Sequence, residues 1–289
     1  MENILEVKNL TKTYDSFKLD NLSFSLKKGY IMGFIGPNGA GKSTTIKLIM
    51  NLVKKDSGTI ELFGKDYQKY EKSVKERIGF IYDQNHYYDD LTIARMKRII
   101  APYYPAWNET IFNGYIKRFN LNPNKKIKEL SRGMKTKFSL AIALSHGAEL
   151  IIMDEPTSGL DPIFRSEILD ILSEIIEEGN CSVLFSSHIT QDLERAADYI
   201  TFINEGKLIF SKEKDAILED YALIKGPNDL LKDPHAFKGL VGYRRGKYGF
   251  SALFEKTHAL DDLDREKIVI ERPNIDDIML YTVRGNSND

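Results

Sequence analysis

Apolar and polar positions alternate at the start of the chain, as in strands that bury one face. Residues 3–8 and 21–26 follow this period of two and predict two strands. Residues 30–35 are apolar enough for a strand buried on both faces, and residues 44–52 then take up helical spacing. The first fifty residues therefore predict strands followed by a strand–loop–helix unit.

Strands and helices alternate through most of the remaining chain. Further strands are predicted at residues 58–63, 77–82, 149–154, 182–185, 199–203 and 207–210, and helices at residues 162–178 and 189–195. Between them, residues 91–150 have helical spacing that Pro102, Pro105 and Pro123 divide into three or four helices. This alternation is typical of a mainly parallel sheet covered on both faces. The predicted fold class is α/β, with an antiparallel β edge and a helical subdomain at about 91–150.

The pattern changes near residue 211. Strands are predicted at residues 222–225 and 267–271, a hairpin within 240–254, and a short helix over 274–283. The length of 289 residues also exceeds that of a usual single domain. We therefore expect a main domain over 1–210 and a small α+β accessory domain over 211–289.

Composition indicates an ordinary globular protein, with 42% hydrophobic and 29% charged residues. The net charge of −1 argues against binding to nucleic acid or to anionic lipid. The one cysteine, Cys181, excludes an internal disulfide and suits a reducing cytosol. The first residues lack the features of a signal peptide, and no apolar run reaches the roughly 18 residues of a membrane-spanning helix. Any membrane part is expected to come from another chain.

The strand–loop–helix unit carries a phosphate-binding motif, G-x-x-x-x-G-K-[ST]. Its glycines let several backbone N–H groups surround an anion at a helix N-terminus. The lysine would reach the β- and γ-phosphates of a nucleotide and the serine hydroxyl would bind Mg²⁺. The residues are Gly36, Pro37, Asn38, Gly39, Ala40, Gly41, Lys42, Ser43 and Thr44. The chain is predicted to bind a nucleoside triphosphate, and hence to have a P-loop NTPase core.

Two carboxylates follow the predicted strand at 149–154. Asp154 comes after four apolar residues, so it can hold the Mg²⁺ that bridges the phosphates. Glu155 is next and points in a different direction, where a carboxylate can orient or deprotonate an attacking water. Together with the phosphate loop, the pair predicts hydrolysis of the nucleotide.

Two more stretches complete a recognisable order of motifs. Leu130-Ser131-Arg132-Gly133-Met134 opens a helical run, and residues 182–188 form a strand that ends at His188. With Tyr14, the phosphate loop, Asp154-Glu155 and the Ser158–Asp161 turn, these elements resemble the ATPase subunits of ATP-binding cassette (ABC) transporters. The similarity covers roughly residues 1–210. Residues 272–278 further resemble the carboxy-terminal segment of drug- and peptide-exporter ATPases, which points to an exporter.

The resemblance implies a role for each matching residue. Tyr14 would stack on adenine, and His188 would contact the γ-phosphate and the attacking water. Two subunits of this family clamp two ATP molecules head to tail, so Ser131 and Gly133 of one subunit would meet the γ-phosphate bound by the other. Asp161 would connect the two sites across the dimer. The implied ligands are ATP and Mg²⁺.

Two departures from the family pattern are present. The usual signature is Leu-Ser-Gly-Gly-Gln, whereas this chain has Arg132 and Met134 at its third and fifth positions. The serine and second glycine, which would face the phosphate, are kept. The metal-sensing position, usually glutamine, aligns with Asp83, and Gln84 follows it. Both side chains offer an oxygen to Mg²⁺ or its water, and the sequence leaves open which one does so.

The predicted function is an ATP-hydrolysing subunit that dimerises on ATP and powers export through a separate membrane-spanning permease. Its partners would be a second ATPase subunit, as a homodimer or a heterodimer, and that permease, which would hold the protein at the cytoplasmic face of the membrane. A DNA-maintenance ATPase would need a longer insertion than 91–150, and a translation factor of this type would need two cassettes. The alternative is a regulatory or scaffold ATPase, although Glu155 and His188 favour turnover.

Overall fold

The computed structural model describes residues 2–82, 87–179, 181–231, 233–255, 267–284 and 286–288. Contacts between Cα atoms divide the chain into two compact units, Met1–Ser211 and Lys212–Asp289. Within the described residues, no helix combines the length and the apolar character needed to cross a membrane.

The strands of the first unit are β1 (Asn3–Tyr14), β2 (Phe17–Lys27), β3 (Ile31–Ile35), β4 (Ser57–Leu62), β5 (Lys65–Asp66), β6 (Ile78–Ile81), β7 (Leu150–Met153), β8 (Ser182–Ser187), β9 (Tyr199–Asn204) and β10 (Lys207–Glu213), which continues into the second unit. The helices are α1 (Lys42–Ile49), α2 (Glu71–Lys75), α3 (Ile93–Ile100), α4 (Glu109–Arg118), α5 (Arg132–Ser145), α6 (Pro162–Glu177) and α7 (Thr190–Ala196).

In the described residues of this unit, the strands form a six-stranded sheet and a four-stranded sheet. The order of the larger sheet is β10-β9-β3-β8-β7-β6, and β3, β6, β7, β8 and β9 pair in parallel. Parallel strands buried on both faces are expected to be almost wholly apolar, as β3 and β7 are. The phosphate loop follows β3 and the two carboxylates follow β7, so they lie at the same edge of the sheet on either side of β8. The predicted α/β class is confirmed.

The smaller, antiparallel sheet has the order β2-β1-β4-β5. The first strand runs to Tyr14, well beyond the end predicted at residue 8. Its register with β2 shifts between Val7 and Leu10, and Asn9 has a left-handed backbone with φ 51°. Such a bulge breaks the period-two pattern and bends the strand without ending it, so the prediction stopped too early.

The helical subdomain contains α3, α4 and α5, and each begins at a side-chain cap. Thr92, Asn108 and Ser131 accept hydrogen bonds from backbone N–H groups of the first helical turn. Such a cap satisfies donors that have no partner inside the helix. Three helices agree with the predicted three to four.

The second unit contains α8 (Lys214–Asp220), β11 (Tyr221–Gly226), β12 (Leu240–Gly246), β13 (Gly249–Glu255), β14 (Val269–Glu271), α9 (Ile275–Arg284) and β15 (Asn286–Asn288). In the described residues its sheet has five strands in the order β14-β11-β13-β12-β15. Buried Ala222, Ile224, Phe250, Ala252 and Phe254 form its apolar core with Leu231. Helix α8 was not predicted, because it is short and Ile217 is its one buried residue among those described.

Candidate active site

The phosphate loop joins the central strand β3 to the N-terminus of α1. Its last glycine, Gly41, has φ 108°, a backbone conformation that L side chains rarely adopt. A Cβ atom there would also lie 2.8 Å from Cζ of Phe17, so the position has no room for a side chain. The loop therefore delivers the first N–H groups of α1, together with the positive end of the helix dipole, to one side of the sheet.

Lys42 begins α1 and is buried, with 6% of its surface exposed. Its Nζ donates to the carbonyl oxygens of Gly36 at 2.7 Å and Pro37 at 3.3 Å. The same atom lies 3.5 Å from Oε1 of Glu155. The ammonium group is thus held inside the curve of the loop, where the phosphates of a nucleotide would compete for it.

Ser43, in the first turn of α1, and Asp154, at the end of β7, meet in the structure. The Ser43 hydroxyl donates to Oδ1 of Asp154 at 3.1 Å, and the Ser186 hydroxyl donates to the same oxygen at 2.7 Å. Burial raises the pKa of the Tyr82 phenol, and the charge of Asp154 raises it further. A hydroxyl and a carboxylate oxygen are ligands that suit Mg²⁺.

Glu155 directly follows Asp154 but has an unusual backbone conformation, with φ 51°. Its N–H donates to Oγ of Ser186 at 2.9 Å. Its carboxylate lies between Lys42 and His188, whose Nδ1 is 2.6 Å from Oε2 of Glu155. A non-glycine residue in this region costs of order 1–3 kcal/mol, and such residues cluster at active sites.

Lys42, Ser43, Glu155 and His188 border an open cleft of about 730 Å³. Its described lining comprises Ser16, Phe17, residues 37–44, Glu155, Ser158 and His188. The structure thus brings together the predicted phosphate loop, Glu155 and His188. The described lining does not include the other predicted site residues Tyr14, Ser131, Gly133, Asp154 and Asp161.

Tyr14 and Phe17 face each other across the turn between β1 and β2. Tyr14 is 42% exposed, and the ammonium of Lys12 lies 5.5 Å from the centre of its ring. Phe17 packs against the phosphate loop at Gly41 and lines the cleft. The aromatic side chain nearest the loop is therefore Phe17, which the sequence analysis did not single out.

The signature residues lie where α5 packs against α6. Ser131 is the exposed N-cap of α5, and its Oγ accepts from the N–H of Met134 at 3.3 Å. Gly133 is buried, and a Cβ atom there would lie 2.9 Å from Cδ1 of Phe164. Arg132 lies against the turn before α6, since a Cβ atom at Gly159 would be 2.8 Å from its Nη1. The departure at Arg132 is thus accommodated by a glycine in the neighbouring turn.

Asp161 is the N-cap of α6. Its Oδ1 accepts from the N–H groups of Ile163 at 3.1 Å and Phe164 at 3.2 Å, and Pro162 occupies the first helical turn as predicted. The preceding segment is held by buried Asp192, which accepts from Thr157 at 2.6 Å and Arg165 at 2.5 Å. These bonds fix the chain between Glu155 and α6. Asp83 and Gln84 lie outside the described residues.

Comparison with known proteins identifies relatives of the chain. A family profile described as ABC transporter matches residues 19–158. The bacitracin transport ATP-binding protein BcrA of Bacillus licheniformis is 37% identical over 212 residues, which are 72% of this chain and 69% of that protein. The lantibiotic transport ATP-binding protein SrtF of Streptococcus pyogenes is 36% identical over 214 residues, which are 73% of this chain and 92% of that protein. The uncharacterized ABC transporter ATP-binding protein YcbN of Bacillus subtilis is 32% identical over 99% of both chains.

Solved structures of ATP-binding cassettes also match the chain. The structure of an ATP-binding subunit of an ABC transporter superposes with a TM-score of 0.67 and 28% identity, covering 74% of this chain and 91% of that one. A dimeric, post-hydrolysis ATP-binding cassette with ADP and phosphate shares the fold, with a TM-score of 0.64 and 24% identity over 72% of this chain and 98% of the other. The resemblance predicted from the motifs is confirmed. The chain belongs to the ABC transporter family and is an ATP-hydrolysing subunit.

Proposed function

We propose that this chain is the energising subunit of an exporter, in which ATP draws two ATPase subunits together and hydrolysis lets them separate. A distinct membrane-spanning protein would convert this motion into outward transport. One observation carries the proposal. The phosphate loop, Glu155 and His188 line one cleft, and Asp154 accepts a hydrogen bond from Ser43 of that lining, whereas Ser131 and Gly133 open a different helix and do not line the cleft.

The nucleotide would be held by the phosphate loop. The N–H groups of residues 37–43 and the positive end of α1 would surround the phosphates, and Lys42 would exchange its loop carbonyls for β- and γ-phosphate oxygens. Tyr14 and Phe17, which share one face of the hairpin, would border the base. The phosphate contacts provide affinity, and the aromatic pair provides selectivity for a base.

The oxygens of Ser43 and Asp154 fit Mg²⁺, which is usually held by one or two carboxylates plus substrate phosphates. In the described residues, no group of three or more His, Cys, Asp or Glu side chains could hold a metal ion by itself. Ser43 and Asp154 would hold the ion, with Asp83 or Gln84 as a further ligand. Bound Mg²⁺ would neutralise charge that develops on the phosphates.

Glu155 would act as the general base and His188 as its orienting partner. The carboxylate takes a proton from water, the water oxygen bonds to the γ-phosphorus, and the bond from that phosphorus to the β–γ bridging oxygen breaks. The products are ADP and phosphate. The 2.6 Å contact with His188 restricts the carboxylate to one orientation in the cleft, and His188 is 45% exposed, so it can reach the γ-phosphate.

Two copies of the chain would complete the sites reciprocally. Ser131 and the start of α5 offer a hydroxyl and N–H donors to a γ-phosphate bound by the partner subunit. Asp161, fixed as the cap of the adjacent α6, would meet the partner across the seam. Because this chain carries every one of these elements, a homodimer suffices, and the dimeric solved relative supports this arrangement.

The membrane partner would dock in a groove of about 640 Å³ between α2 and the turn at Tyr103 and Tyr104. Its lining combines Lys69, Lys72 and Lys75 with Glu71 and Glu76, and Lys75 pairs with Glu71 at 2.5 Å. Tyr103 is 76% exposed. A short cytosolic helix with apolar side chains for Tyr103 and acidic side chains for Lys69 and Lys72 would fit this lining. Through it, the subunit would reside at the cytoplasmic face of the membrane. Relatives that transport bacitracin and a lantibiotic support amphipathic peptides as the exported class.

The proposal is tested by purifying the tagged chain in detergent from membranes of the cells that produce it and identifying any multi-spanning protein that is recovered with it. We expect a stable complex whose ATPase activity rises in liposomes and which moves an amphipathic peptide, whereas Tyr103→Ala should weaken assembly. Tyr248, exposed in the accessory unit, serves as the control position. Repeated recovery of an active ATPase without any membrane protein would instead support the scaffold alternative.

A further inference from the structure

Ser186 lies in the strand between the two halves of the catalytic machinery. Strand β8 pairs with β3, which leads into the phosphate loop, and with β7, which leads into Asp154 and Glu155. Ser186 pairs with Phe34 and lies one residue beyond the last pair of β7 with β8, Met153 with Phe185. Its side chain therefore lies beside the point where the chain leaves β7 and becomes Asp154.

The hydroxyl of Ser186 uses both of its hydrogen-bonding capacities there. It donates to Oδ1 of Asp154 at 2.7 Å and accepts from the N–H of Glu155 at 2.9 Å. Ser186 is fully buried, with 0% of its surface exposed, so water does not replace these bonds readily. A hydroxyl has one donor and two acceptor positions, and an apolar side chain could supply neither bond.

The two hydrogen bonds of Ser186 constrain the Asp154 side chain and the Glu155 backbone, respectively. The bond to Asp154 sets the rotation of a carboxylate that would bind the metal, while leaving its second oxygen for other contacts. The bond from Glu155 restrains a peptide that adopts φ 51°, and thereby the direction in which the Glu155 side chain leaves the backbone. A hydroxyl in this position couples the orientation of the metal ligand to that of the base.

We propose that Ser186 is a positioning residue of the hydrolytic site, which holds the Asp154 carboxylate and the Glu155 backbone in one hydrogen-bonded unit. The proposal rests on the metal and base roles proposed above for Asp154 and Glu155. Groups that orient metal ligands in this way affect metal affinity or activity by about 10–100-fold when they are removed. Ser186 would touch neither the nucleotide nor the water, so it acts only through its two neighbours.

The test compares Ser186→Ala, Ser186→Cys and Ser182→Ala with the wild-type chain. Ser182 is a matched control, because it is fully buried in the same strand and also accepts a backbone N–H, from Gly29 at 2.8 Å, at the strand's other end. Calorimetry would give the affinity for ATP without Mg²⁺ and for a non-hydrolysable Mg²⁺–nucleotide. Steady-state kinetics would give kcat and the half-saturating Mg²⁺ concentration.

We expect Ser186→Ala to bind metal-free ATP as the wild type does, and to lose about 10–100-fold in Mg²⁺-dependent affinity or in kcat. Ser186→Cys should be intermediate, since a thiol keeps a donor at the same position but is a weak one. Ser182→Ala should match the wild type. Wild-type Mg²⁺ dependence and kcat in Ser186→Ala, or equal losses in Ser182→Ala, would overturn the proposal.

If Ser186→Ala does not fold, Ser186→Cys decides, because it retains a weak donor and acceptor at the buried position. A folded Ser186→Cys chain with wild-type Mg²⁺ affinity and kcat would equally overturn it. The proposed site roles are checked separately in the same assay. A wild-type chain whose nucleotide binding ignores Mg²⁺, or a Glu155→Gln chain with full turnover, would reject those roles rather than the role of Ser186.

Discussion

His188 and Glu155 form a direct contact, with Nδ1 of the imidazole 2.6 Å from Oε2 of the carboxylate. The two residues are far apart in sequence, at the ends of neighbouring strands β8 and β7. The other oxygen of Glu155 lies 3.5 Å from the Lys42 ammonium. The carboxylate is therefore held from both sides, which suits the proposed role of a general base that accepts a proton from one positioned water.

Replacing Glu155 with glutamine should keep ATP binding and reduce turnover by about 10²–10⁴-fold, because the amide cannot accept the proton of water. The chain should then accumulate as an ATP-bound dimer, measurable by size-exclusion chromatography with bound-nucleotide analysis. Glu177→Gln, on the exposed side of α6, is the control and should hydrolyse normally. Near-wild-type turnover in Glu155→Gln would show that another group is the base.

Lys42→Ala should weaken ATP binding by about 2 kcal/mol or more, since a buried cation that pairs with phosphate is lost. Calorimetry with ATP at fixed Mg²⁺ measures the effect. Lys47→Ala provides a lysine substitution in the same helix outside the cleft lining and should leave the affinity unchanged. Equal affinities of Lys42→Ala and wild type would contradict the phosphate role.

Tyr14→Ala and Phe17→Ala should differ in their effects on ATP and on inorganic triphosphate. Loss of stacking on a base costs about 1–3 kcal/mol, so Tyr14→Ala should weaken ATP but not triphosphate binding. Phe17→Ala should weaken both, because Phe17 also packs on the loop at Gly41. Competition with a fluorescent nucleotide measures both ligands, and Tyr14→Phe should retain affinity. A Tyr14→Ala chain that binds ATP normally would exclude stacking by this residue.

Gly133→Ala should impair ATP-driven dimerisation while leaving ATP binding intact. The added methyl would lie 2.9 Å from Cδ1 of Phe164, so the start of α5 must shift. Gly114, inside α4, has no atom within 4 Å of an added Cβ atom, and Gly114→Ala should raise the free energy of unfolding by about 0.5–1 kcal/mol. Sedimentation velocity of each variant with ATP would measure the fraction of dimer. A Gly133→Ala chain that dimerises normally would refute the proposed role of this residue in the dimer.

His146 should make the stability of the chain pH-dependent. It is buried and stacks on Tyr104 with ring centres 3.9 Å apart, and burial lowers its pKa from 6.5 to about 4. The unfolded chain therefore binds the proton more readily, so stability is complete above pH 6.5 and falls as pH decreases towards 4. The decrease in the free energy of unfolding approaches roughly 3 kcal/mol. Urea denaturation at pH 7 and pH 5 measures it, and His146→Phe should abolish this component. An unchanged pH dependence in His146→Phe would contradict the assignment.

The motif residues could be predicted from sequence because their chemistry requires particular side chains at fixed spacing. Lys42, Asp154, Glu155 and His188 follow strands whose apolar pattern is plain, and parallel strands bring their carboxyl ends together. Ser186 could not be found in this way. A serine next to another serine before His188 looks ordinary until β8 is placed between β3 and β7.

The extent of β1 and the position of Phe17 were missed for a different reason. The bulge near Asn9 interrupts the alternation of side chains, so the local pattern ends before the strand does. Phe17 becomes significant only through its contact with Gly41, which lies in another element. Local patterns predict elements well, whereas contacts between elements depend on strand order and on bends that leave little trace in sequence.

The contact between Lys42 and Glu155 has a consequence for control of the enzyme. The Lys42 ammonium lies 3.5 Å from Oε1 of Glu155 and donates to the loop carbonyl of Gly36, so a bound triphosphate and Glu155 would compete for the same cation. Without a nucleotide, this attraction holds the Glu155 carboxylate towards the phosphate loop. A triphosphate that drew Lys42 away would leave the carboxylate able to turn towards a water molecule. The substrate would thereby help to position the group proposed to activate the attacking water.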